Sequence, residues 1–339
     1  MRPLTVRRLL WTCGGLTVAL LASVVLALKL GAVPISVTDL VVNLGRAAIG
    51  RTSQIPTEYR LIIFDLRLPR ILLGILVGAA LSVSGASFQA LLRNPLADPF
   101  VLGVSSGAAL GSILAMIIAP QLAFVMPLGA FLGAIATIAA VYFLGRREGE
   151  LDSTTLLLGG IISASFLSAI IMFLMTTLAG RDLRGMVFWL MGDLSTPVPV
   201  SLRWILTVGV IAGIGAIYTT AADLNLLLTG EREAIHLGVD ATRVKLVVYI
   251  SASLLTALAV SASGAIGYVG LLVPHAVRLL FGSDYRLLIP ASALGGAIAI
   301  VLADTLARTV VAPTELPVGA MTAMAGAPVF IYLLRRGMR

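Results

Sequence analysis

Eight stretches of this chain, each between 17 and 47 residues long, contain no Asp, Glu, Lys or Arg. A charge at the centre of a membrane helix costs roughly 2.5–3.5 kcal/mol, and a helix needs about 20 residues to cross the bilayer. We therefore interpret the uncharged stretches as membrane spans. With 59% hydrophobic and only 12% charged residues, the chain would expose too much apolar surface in water, which excludes a soluble enzyme, a disordered chain and a disulfide scaffold.

Two of these stretches are too long for one helix. Pro120 and Pro127 favour a turn inside residues 99–145, and Gly264 favours a break inside residues 246–277. The predicted fold class is therefore all-α, a polytopic membrane protein with about ten transmembrane helices. Within a single permease domain, residues 1–339, the spans are predicted at about residues 9–30, 68–92, 100–119, 123–145, 155–179, 201–221, 244–263, 265–282, 287–306 and 317–334.

The distribution of basic residues predicts the orientation of these spans. An even number of spans places both termini on one side, and basic residues such as Arg7, Arg146 and Lys245 concentrate there. By the positive-inside rule that side is cytoplasmic. We expect a multi-pass protein of the cytoplasmic (inner) membrane with both termini cytoplasmic, and we interpret the first span as a retained helix because no small-residue cleavage site follows it.

Two segments lie outside the predicted spans, residues 31–66 on the outer face and residues 223–243 on the inner face. The inner segment is too polar to span a membrane, and its apolar residues could form the faces of two short helices separated near Gly230. Such a pair of helices either docks on a partner or lies on the lipid surface, and both readings stay open at this point. The apolar residues are Leu226, Leu227, Ala234, Ile235 and Leu237.

A short motif occurs twice in the chain. Residues 82–86, Ser-Val-Ser-Gly-Ala, recur at residues 261–265 as Ser-Ala-Ser-Gly-Ala. The two copies are an odd number of predicted spans apart and therefore run in opposite directions across the membrane. This predicts a weak inverted repeat, a feature typical of transporters.

The residue types that most enzyme and metal sites need are scarce. Cys13, His236 and His275 provide neither metal-ligand spacing nor a nucleophile–base order, and the sequence has no phosphate-binding loop. We predict that the chain is not an enzyme, holds no metal and needs no cofactor of its own. The net charge of +8 lacks the interleaved aromatic residues of nucleic-acid binders, so no nucleic-acid partner is expected.

Few acidic residues fall deep inside the predicted spans, and the nearest is Asp304 at the outer end of the ninth. Ion-coupled carriers usually need ionisable groups within the membrane. A transporter with neither an ATP-binding loop nor an ion relay takes its energy from a partner, which would dock on residues 223–243. The alternative is an ion-coupled secondary transporter, for which ionophores would abolish uptake and ATP would not drive it.

Several long motifs follow one another in a fixed order along nearly the whole chain. They include Arg67-Leu-Pro-Arg70, Gly78-Ala-Ala-Leu-Ser-Val-Ser-Gly-Ala-Ser-Phe-Gln-Ala90, Arg93-Asn-Pro-Leu-Ala-Asp-Pro99, Gly270-Leu-Leu-Val-Pro-His-Ala-Val-Arg278 and Glu315-Leu-Pro-Val-Gly319. In this order they closely resemble the FecCD family, the membrane permeases of ABC importers for ferric siderophores, haem and cobalamin. Residues 229–238 resemble the cytoplasmic coupling helices of that family.

The resemblance implies a ten-helix subunit that forms a homodimer or pairs with a sister permease in the lipid bilayer. It also implies two ABC ATPase subunits on the inner side, where ATP would bind, and an extracytoplasmic substrate-binding protein on the outer side. Permeases for siderophores, haem and cobalamin share these motifs, so the cargo is left open.

For the outer face, the resemblance implies that Arg67, Arg70 and Arg308 dock the binding protein by pairing with its carboxylates. The alternative is that these side chains extend to lipid phosphates.

For the inner face, the resemblance implies a gate and a coupling site. The gate residues are Asn94, Leu96, Ser153 and Thr154, which ordinary turn and helix-cap chemistry would also explain. The ATPase-coupling residues are Glu231, Arg232, Gly238 and Asp240, for which a solvated charged face is the alternative.

Overall fold

The computed structural model describes residues 4–119, 121–122, 124–147, 150–177, 183–196 and 198–337. Within these ranges the regular secondary structure is helical apart from one antiparallel pair of two-residue strands, β1 (Arg146–Arg147) and β2 (Glu150–Leu151). A π-helix (Arg60–Arg67) and two 3₁₀ helices (Thr52–Gln54 and Pro99–Leu102) accompany the α-helices. These are α1 (Val6–Lys29), α2 (Val37–Ala48), α3 (Thr57–Tyr59), α4 (Leu68–Leu91), α5 (Val104–Ile118), α6 (Val125–Gly145), α7 (Ser153–Thr177), α8 (Leu183–Leu190), α9 (Val200–Thr219), α10 (Ala221–Thr229), α11 (Glu231–His236), α12 (Ala241–Ser263), α13 (Val269–Phe281), α14 (Tyr285–Thr309) and α15 (Val318–Gly337).

Seven helices in the described part of the chain are long and apolar enough to cross a membrane. Six of them are α1, α6, α7, α9, α12 and α14, and the seventh is the continuous helix Thr57–Leu91, which includes α4. Shorter apolar helices, α5, α13 and α15, lie at the other predicted stretches. The all-helical membrane architecture is thereby confirmed, whereas the ten crossings stay a prediction.

Helix α4 is buried along most of its length because α12, α13 and α14 pack around it. Its backbone contacts the backbones of two of these helices directly. A Cβ added at Gly78 would lie 2.2 Å from the carbonyl oxygen of Gly296, and one at Gly85 would lie 1.8 Å from that of Gly270. Because lipid is as apolar as a leucine side chain, helices in a bilayer associate largely through such close packing of small residues. These four glycines therefore fix α4 at the centre of the bundle.

Helices α5 and α6 form a second close pair. A Cβ added at Gly111 would lie 2.1 Å from the carbonyl oxygen of Gly129, and one at Gly133 would lie 2.1 Å from that of Gly107. The two glycines on each helix are four residues apart and therefore share one face. This pair packs against α7 and α12.

The outer segment, residues 31–66, is largely helical. Helix α2 begins after Ser36, whose hydroxyl accepts a hydrogen bond from the backbone N–H of Asp39 at 3.0 Å. The helix that contains the second predicted span begins at Thr57 and runs through the π-helix into α4. The predicted span starts only at about residue 68. The helix therefore begins before the span, and this additional part, residues 57–67, carries charged side chains.

The chain leaves α12 at Ser263 and enters α13 at Val269, on either side of the break that the sequence places near Gly264. Gly264 has a φ of +66°, and a Cβ there would lie 2.0 Å from the carbonyl oxygen of Trp189. Both features require glycine. The break leaves α13 with only 13 residues.

From the close packing around α4 we predict that Gly85→Ala destabilises the fold. We expect this variant to lower the apparent unfolding temperature of the detergent-solubilised chain, because the new methyl group would overlap the backbone of Gly270. Overpacking of this kind costs about 1–3 kcal/mol. The matched control is Gly215→Ala in α9, where an added Cβ meets nothing within 4 Å. An equal drop in both variants would contradict the packing described for α4.

Candidate functional site

The three arginines predicted to dock a binding protein line one pocket. Arg67 and Arg70 lie where the π-helix continues into α4, and Arg308 lies in the last turn of α14. The pocket has an open volume of about 530 Å³, and Glu315, in the loop before α15, completes its charged lining. We call this site the outer arginine pocket. It holds three guanidinium groups and one lining carboxylate.

Asp304 in α14 is the buried counter-ion of two of these arginines. Its Oδ1 accepts a hydrogen bond from Arg70 Nε at 2.9 Å, and its Oδ2 accepts one from Arg308 Nε at 3.1 Å. Asp304 is only 2% exposed. Arg70 also donates from Nη1 to Glu315 Oε2 at 2.7 Å, and the Glu315 side chain is 44% exposed. Arg70 therefore holds one buried carboxylate and one that faces solvent.

Arg67 and Arg308 donate to backbone carbonyl oxygens at the end of α1 and in the loop that follows it. Arg67 donates to the carbonyl oxygens of Leu28 and Val33 and, at 3.4 Å, to that of Lys29. Arg308 Nη2 donates to the carbonyl oxygen of Ala27 at 3.3 Å. The last carbonyls of a helix lack partners inside the helix, and cations are favourable at its negative end. These arginines therefore fasten α1 to the bundle.

Two interpretations of the three arginines were open, and the geometry fits a pocket that receives an anion better than it fits side chains that extend to lipid phosphates. Arg67 and Arg308 are buried and point their donors at groups inside the chain. Counting Asp304 and Glu315, the cluster has three cations and two carboxylates, so an incoming carboxylate would meet an excess of positive charge. Docking on these arginines stays a prediction.

Sequence reasoning missed the partners of these arginines. The sequence identifies Asp304 only as an acid at the outer end of a predicted span, and Glu315 only as part of a motif. The signal that could have found them is the cost of an unpaired buried charge, which requires a counter-ion for each buried arginine. The four-residue spacing of Asp304 and Arg308 on one helix face is the local part of that signal.

The inner coupling segment, residues 223–243, forms α10 and α11. Gly238 ends α11 with a φ of +87°, which favours glycine. The N–H of Gly238 bonds the carbonyl oxygen of Ile235 at 2.9 Å, and the N–H of Val239 bonds that of Ala234 at 3.0 Å. This pair of bonds is a Schellman motif, so Gly238 has a definite conformational role in shaping the segment.

The predicted coupling residues differ in their surroundings: Glu231 pairs with side chains of the bundle, whereas Arg232 and Asp240 face solvent. Glu231 lies between two cations, the Nζ of Lys245 in α12 and Arg93 Nη2 at 3.5 Å. Arg232 and Asp240 are exposed, and Asp240 caps α12 by accepting a hydrogen bond from the backbone N–H of Arg243 at 3.0 Å. Two large apolar side chains, Ile235 and Leu237, are also exposed. The segment therefore presents an apolar surface with charges around it.

The coupling segment is also fastened to the start of α14. Asn225 donates from Nδ2 to Asp284 Oδ1 at 2.9 Å and accepts from the backbone N–H of Tyr285 at 2.9 Å. Hydrogen bonds from Arg286 and Asn225 hold the pKa of Asp284 below its usual value. These hydrogen bonds attach the inner segment to the helical bundle.

The predicted gate residues lie in two turns. Asn94 and Leu96 belong to the inner turn, residues 92–98, where Asn94 Oδ1 accepts a hydrogen bond from the backbone N–H of Leu96 at 2.9 Å. Thr154 is exposed in the first turn of α7, whereas the Ser153 side chain lies outside the described part of the chain. The 3₁₀ helix after the inner turn packs on α7, where a Cβ at Gly160 would lie 2.5 Å from the carbonyl oxygen of Val101. The gate stays a prediction.

We predict that the buried carboxylate of Asp304 is needed for the stability of the fold. Asp304→Asn should strongly lower the apparent unfolding temperature, because it leaves Arg70 and Arg308 without the carboxylate they share. Breaking a buried ion pair in this way costs about 3–5 kcal/mol. Asp65→Asn is the matched control, since Asp65 is exposed and has no ion-pair partner among the described residues. Similar unfolding temperatures for the two variants would show that the buried network does not stabilise the fold.

A second prediction concerns Asp98, which ends the inner turn. Its Oδ1 accepts a hydrogen bond from the backbone N–H of Phe100 at 2.8 Å, and burial raises the pKa of this carboxyl from 3.8 to about 6. Between these two pH values the folded chain holds a proton that the unfolded chain has released, so stability falls as the pH rises through this window and is level above it.

Asp98→Asn keeps the helix cap and removes the titration. We expect unfolding temperatures measured from pH 4 to pH 8 to fall across the acidic window in the parent chain and to lose that slope in the variant. An unchanged slope would assign the pH dependence to another group.

Comparison with known proteins matches nearly the whole chain to one protein family. The model of the FecCD transport family matches residues 19–336. The cobalamin import system permease protein BtuC of Halobacterium salinarum is 44% identical over 281 residues, which cover 83% of this chain and 75% of that protein. The hemin transport system permease protein HmuU of Yersinia pestis is 42% identical over 281 residues, or 80% of this chain and 82% of that protein.

A solved structure of a metal-chelate type ABC transporter in an inward-facing conformation is also similar. It superposes with a TM-score of 0.81 at 32% identity, covering 96% of this chain and 99% of that one. The family match extends over nearly the full length, and both of the relatives named above exceed 40% identity. The chain therefore belongs to the FecCD transport family.

Proposed function

We propose that this chain is the membrane-spanning permease subunit of an ABC importer that carries an iron chelate, haem or cobalamin across the cytoplasmic membrane. The observation that carries the proposal is the family match over residues 19–336. Relatives named for cobalamin and hemin transport, at 44% and 42% identity, support the cargo class. The chain itself is not an enzyme and needs no cofactor, because ATP binds to partner subunits.

The proposed topology has ten spans with both termini in the cytoplasm. The three shorter apolar helices, α5, α13 and α15, supply the spans beyond the seven longer ones. The order of the helices then makes α4 run inward and α12 run outward. One copy of the repeated Ser-x-Ser-Gly-Ala motif, residues 82–86, lies within α4, and the other, residues 261–265, covers the end of α12 and the start of the break after it. This arrangement supports a five-plus-five inverted repeat.

On the outer face, the proposed partner is a substrate-binding protein that inserts carboxylates into the outer arginine pocket. Bidentate pairing between guanidinium and carboxylate fixes the relative orientation of the two groups as well as attracting them. Arg70 is the proposed first contact, because its bond to Glu315 faces solvent, whereas Arg67 and Arg308 lie deeper. The excess of positive charge in the pocket supports this choice of partner.

On the inner face, the proposed partners are two ABC ATPase subunits, one for each permease of a homodimer or of a pair of sister permeases. The exposed side chains of Ile235 and Leu237 offer the apolar part of that contact, and Arg232 and Asp240 offer charges beside it. An amphipathic helix with exposed anchors is a common way to fill a groove on a partner.

The proposed mechanism is a population shift between outward-open and inward-open states. ATP shifts this equilibrium only if it binds the ATPases more tightly in one state than in the other. Closure of the ATPases would displace the coupling segment and thereby the inner ends of the helices attached to it. Asn94, Leu96, Ser153 and Thr154 are the proposed gate that opens and closes the pathway at this face.

Uptake by proteoliposomes tests this function. Vesicles containing the permease, its ATPases and its binding protein should accumulate labelled cobalamin, haemin or a ferric siderophore only when ATP is present. Inactivating the ATPases should abolish uptake, and a protonophore should leave it unchanged. Uptake that an ion gradient drives without ATP would contradict the proposal and favour an ion-coupled secondary transporter.

A further inference from the structure

Arg93 has an unusual backbone conformation in the inner turn that follows α4. Its φ is +48°, in the left-handed region that side chains other than glycine rarely adopt. The turn is held by hydrogen bonds from the N–H of Arg93 to the carbonyl oxygen of Ala90 and from the N–H of Asn94 to that of Gln89, both at 3.1 Å. Strained residues persist where the surrounding structure fixes them, often at functional sites.

The Arg93 guanidinium reaches the coupling segment. Its Nη2 donates to the carbonyl oxygen of Leu227 in α10 at 3.3 Å and lies 3.5 Å from Oε2 of Glu231, the first residue of α11. One side chain of the inner turn therefore contacts both short helices of the coupling segment. Asn94, a proposed gate residue, is its immediate neighbour in the chain.

Glu231 extends this contact to α12. While its Oε2 faces Arg93, its Oε1 accepts a hydrogen bond from Lys245 Nζ. The charges alternate, so one carboxylate joins the inner turn, the coupling segment and the first turns of α12. We call this set, Arg93, Glu231 and Lys245, the inner ion-pair chain.

The inner ion-pair chain is exposed enough to be adjustable. The Arg93 side chain is 50% exposed and that of Glu231 is 32% exposed. Exposed pairs contribute little to folding stability, so stability alone gives little reason for this arrangement. A weak contact between two segments can also break and form again as they move relative to each other.

We propose that Arg93 is a positioning residue for transport. It ties the coupling segment to the inner turn, so that displacement of α10 and α11 by the ATPases moves the turn that carries Asn94 and Leu96. This inference rests on the proposed function for the identity of the motor, and it adds the physical connection between motor and gate. Glu231 acts within this connection, and the exposed residues of the segment face the ATPase.

The first test uses the full chain alone in lipid nanodiscs and needs no partner. Amide hydrogen exchange is measured at Leu96 and Ala97, whose N–H groups bond to Asn94. Glu231→Gln should speed exchange at these amides by about two- to fivefold, the range expected for losing an exposed ion pair. Arg93→Gln should have a similar effect. The exchange rate in the double variant should be close to that of either single variant, because each substitution removes the same contact.

The controls remove equal charges nearby. Glu233→Gln lies in the same helix as Glu231, and Arg243→Gln lies in the first turn of α12. Neither side chain has an ion-pair partner among the described residues. Both controls should leave exchange in the inner turn unchanged. Additive effects of Arg93→Gln and Glu231→Gln, or equal effects of the controls, would overturn the proposed link.

The second test measures uptake and ATP hydrolysis together in the reconstituted importer, with cobalamin, haemin and a ferric siderophore as probes. Arg93→Gln should lower uptake per ATP hydrolysed severalfold while hydrolysis continues. The control Arg7→Gln, an exposed arginine in the first turn of α1 and outside the coupling segment, should leave this ratio unchanged. An unchanged ratio for Arg93→Gln would overturn the positioning role. A parent chain that shows no ATP-driven uptake would instead contradict the proposed function, and the exchange experiment would still decide whether the link exists.

Discussion

Close approach between the backbone of α4 and those of α13 and α14 determines how the other helices pack around it. Lipid gives helices no hydrophobic reason to associate, so contacts between backbones must hold the bundle together. Glycines at Gly78, Gly85, Gly270 and Gly296 make those contacts possible. Helix α4 is about 36 Å long, enough to cross the hydrocarbon core, and it has the outer arginine pocket at one end and the inner turn at the other.

The two ends of α4 use arginine in different ways. Arg70 binds a buried carboxylate, Asp304, in a network that also holds the end of α1, so the outer end is firmly fixed. Arg93 pairs with a partly exposed carboxylate, Glu231, in the coupling segment. A buried pair is costly to break and an exposed pair is cheap to break. One end of α4 is therefore fixed by a buried network, whereas the other end is held by a partly exposed pair that costs little to break.

The sequence predicts the helices inside the bilayer well because the membrane excludes charge, and uncharged stretches mark them directly. The break at Gly264 was also predictable, since a glycine interrupts a stretch too long for one helix. Helices outside the bilayer leave no such mark, so α2, α8 and the start at Thr57 were missed. Charged residues there are as compatible with a helix as with a loop.

The sites were predictable only in part, for a related reason. The family resemblance pointed to Arg67, Arg70 and Arg308, and the structure brings the three together in one pocket. Their partners were not predictable, because Arg70 lies 234 residues before Asp304 and 245 before Glu315 in the chain. Likewise, nothing local in the sequence joins Arg93 to Glu231.

In the proposed mechanism, a nucleotide-consuming partner switches the shape of this permease through its inner segment. The most direct measurement is the distance between spin labels at residues 96 and 154, one in the inner turn and one at the start of α7, in the importer assembled with its ATPases. We predict that ATP shifts the distance distribution when the ATPases bind nucleotide and leaves it unchanged when they cannot. A distribution that does not respond to ATP in the active complex would contradict the account.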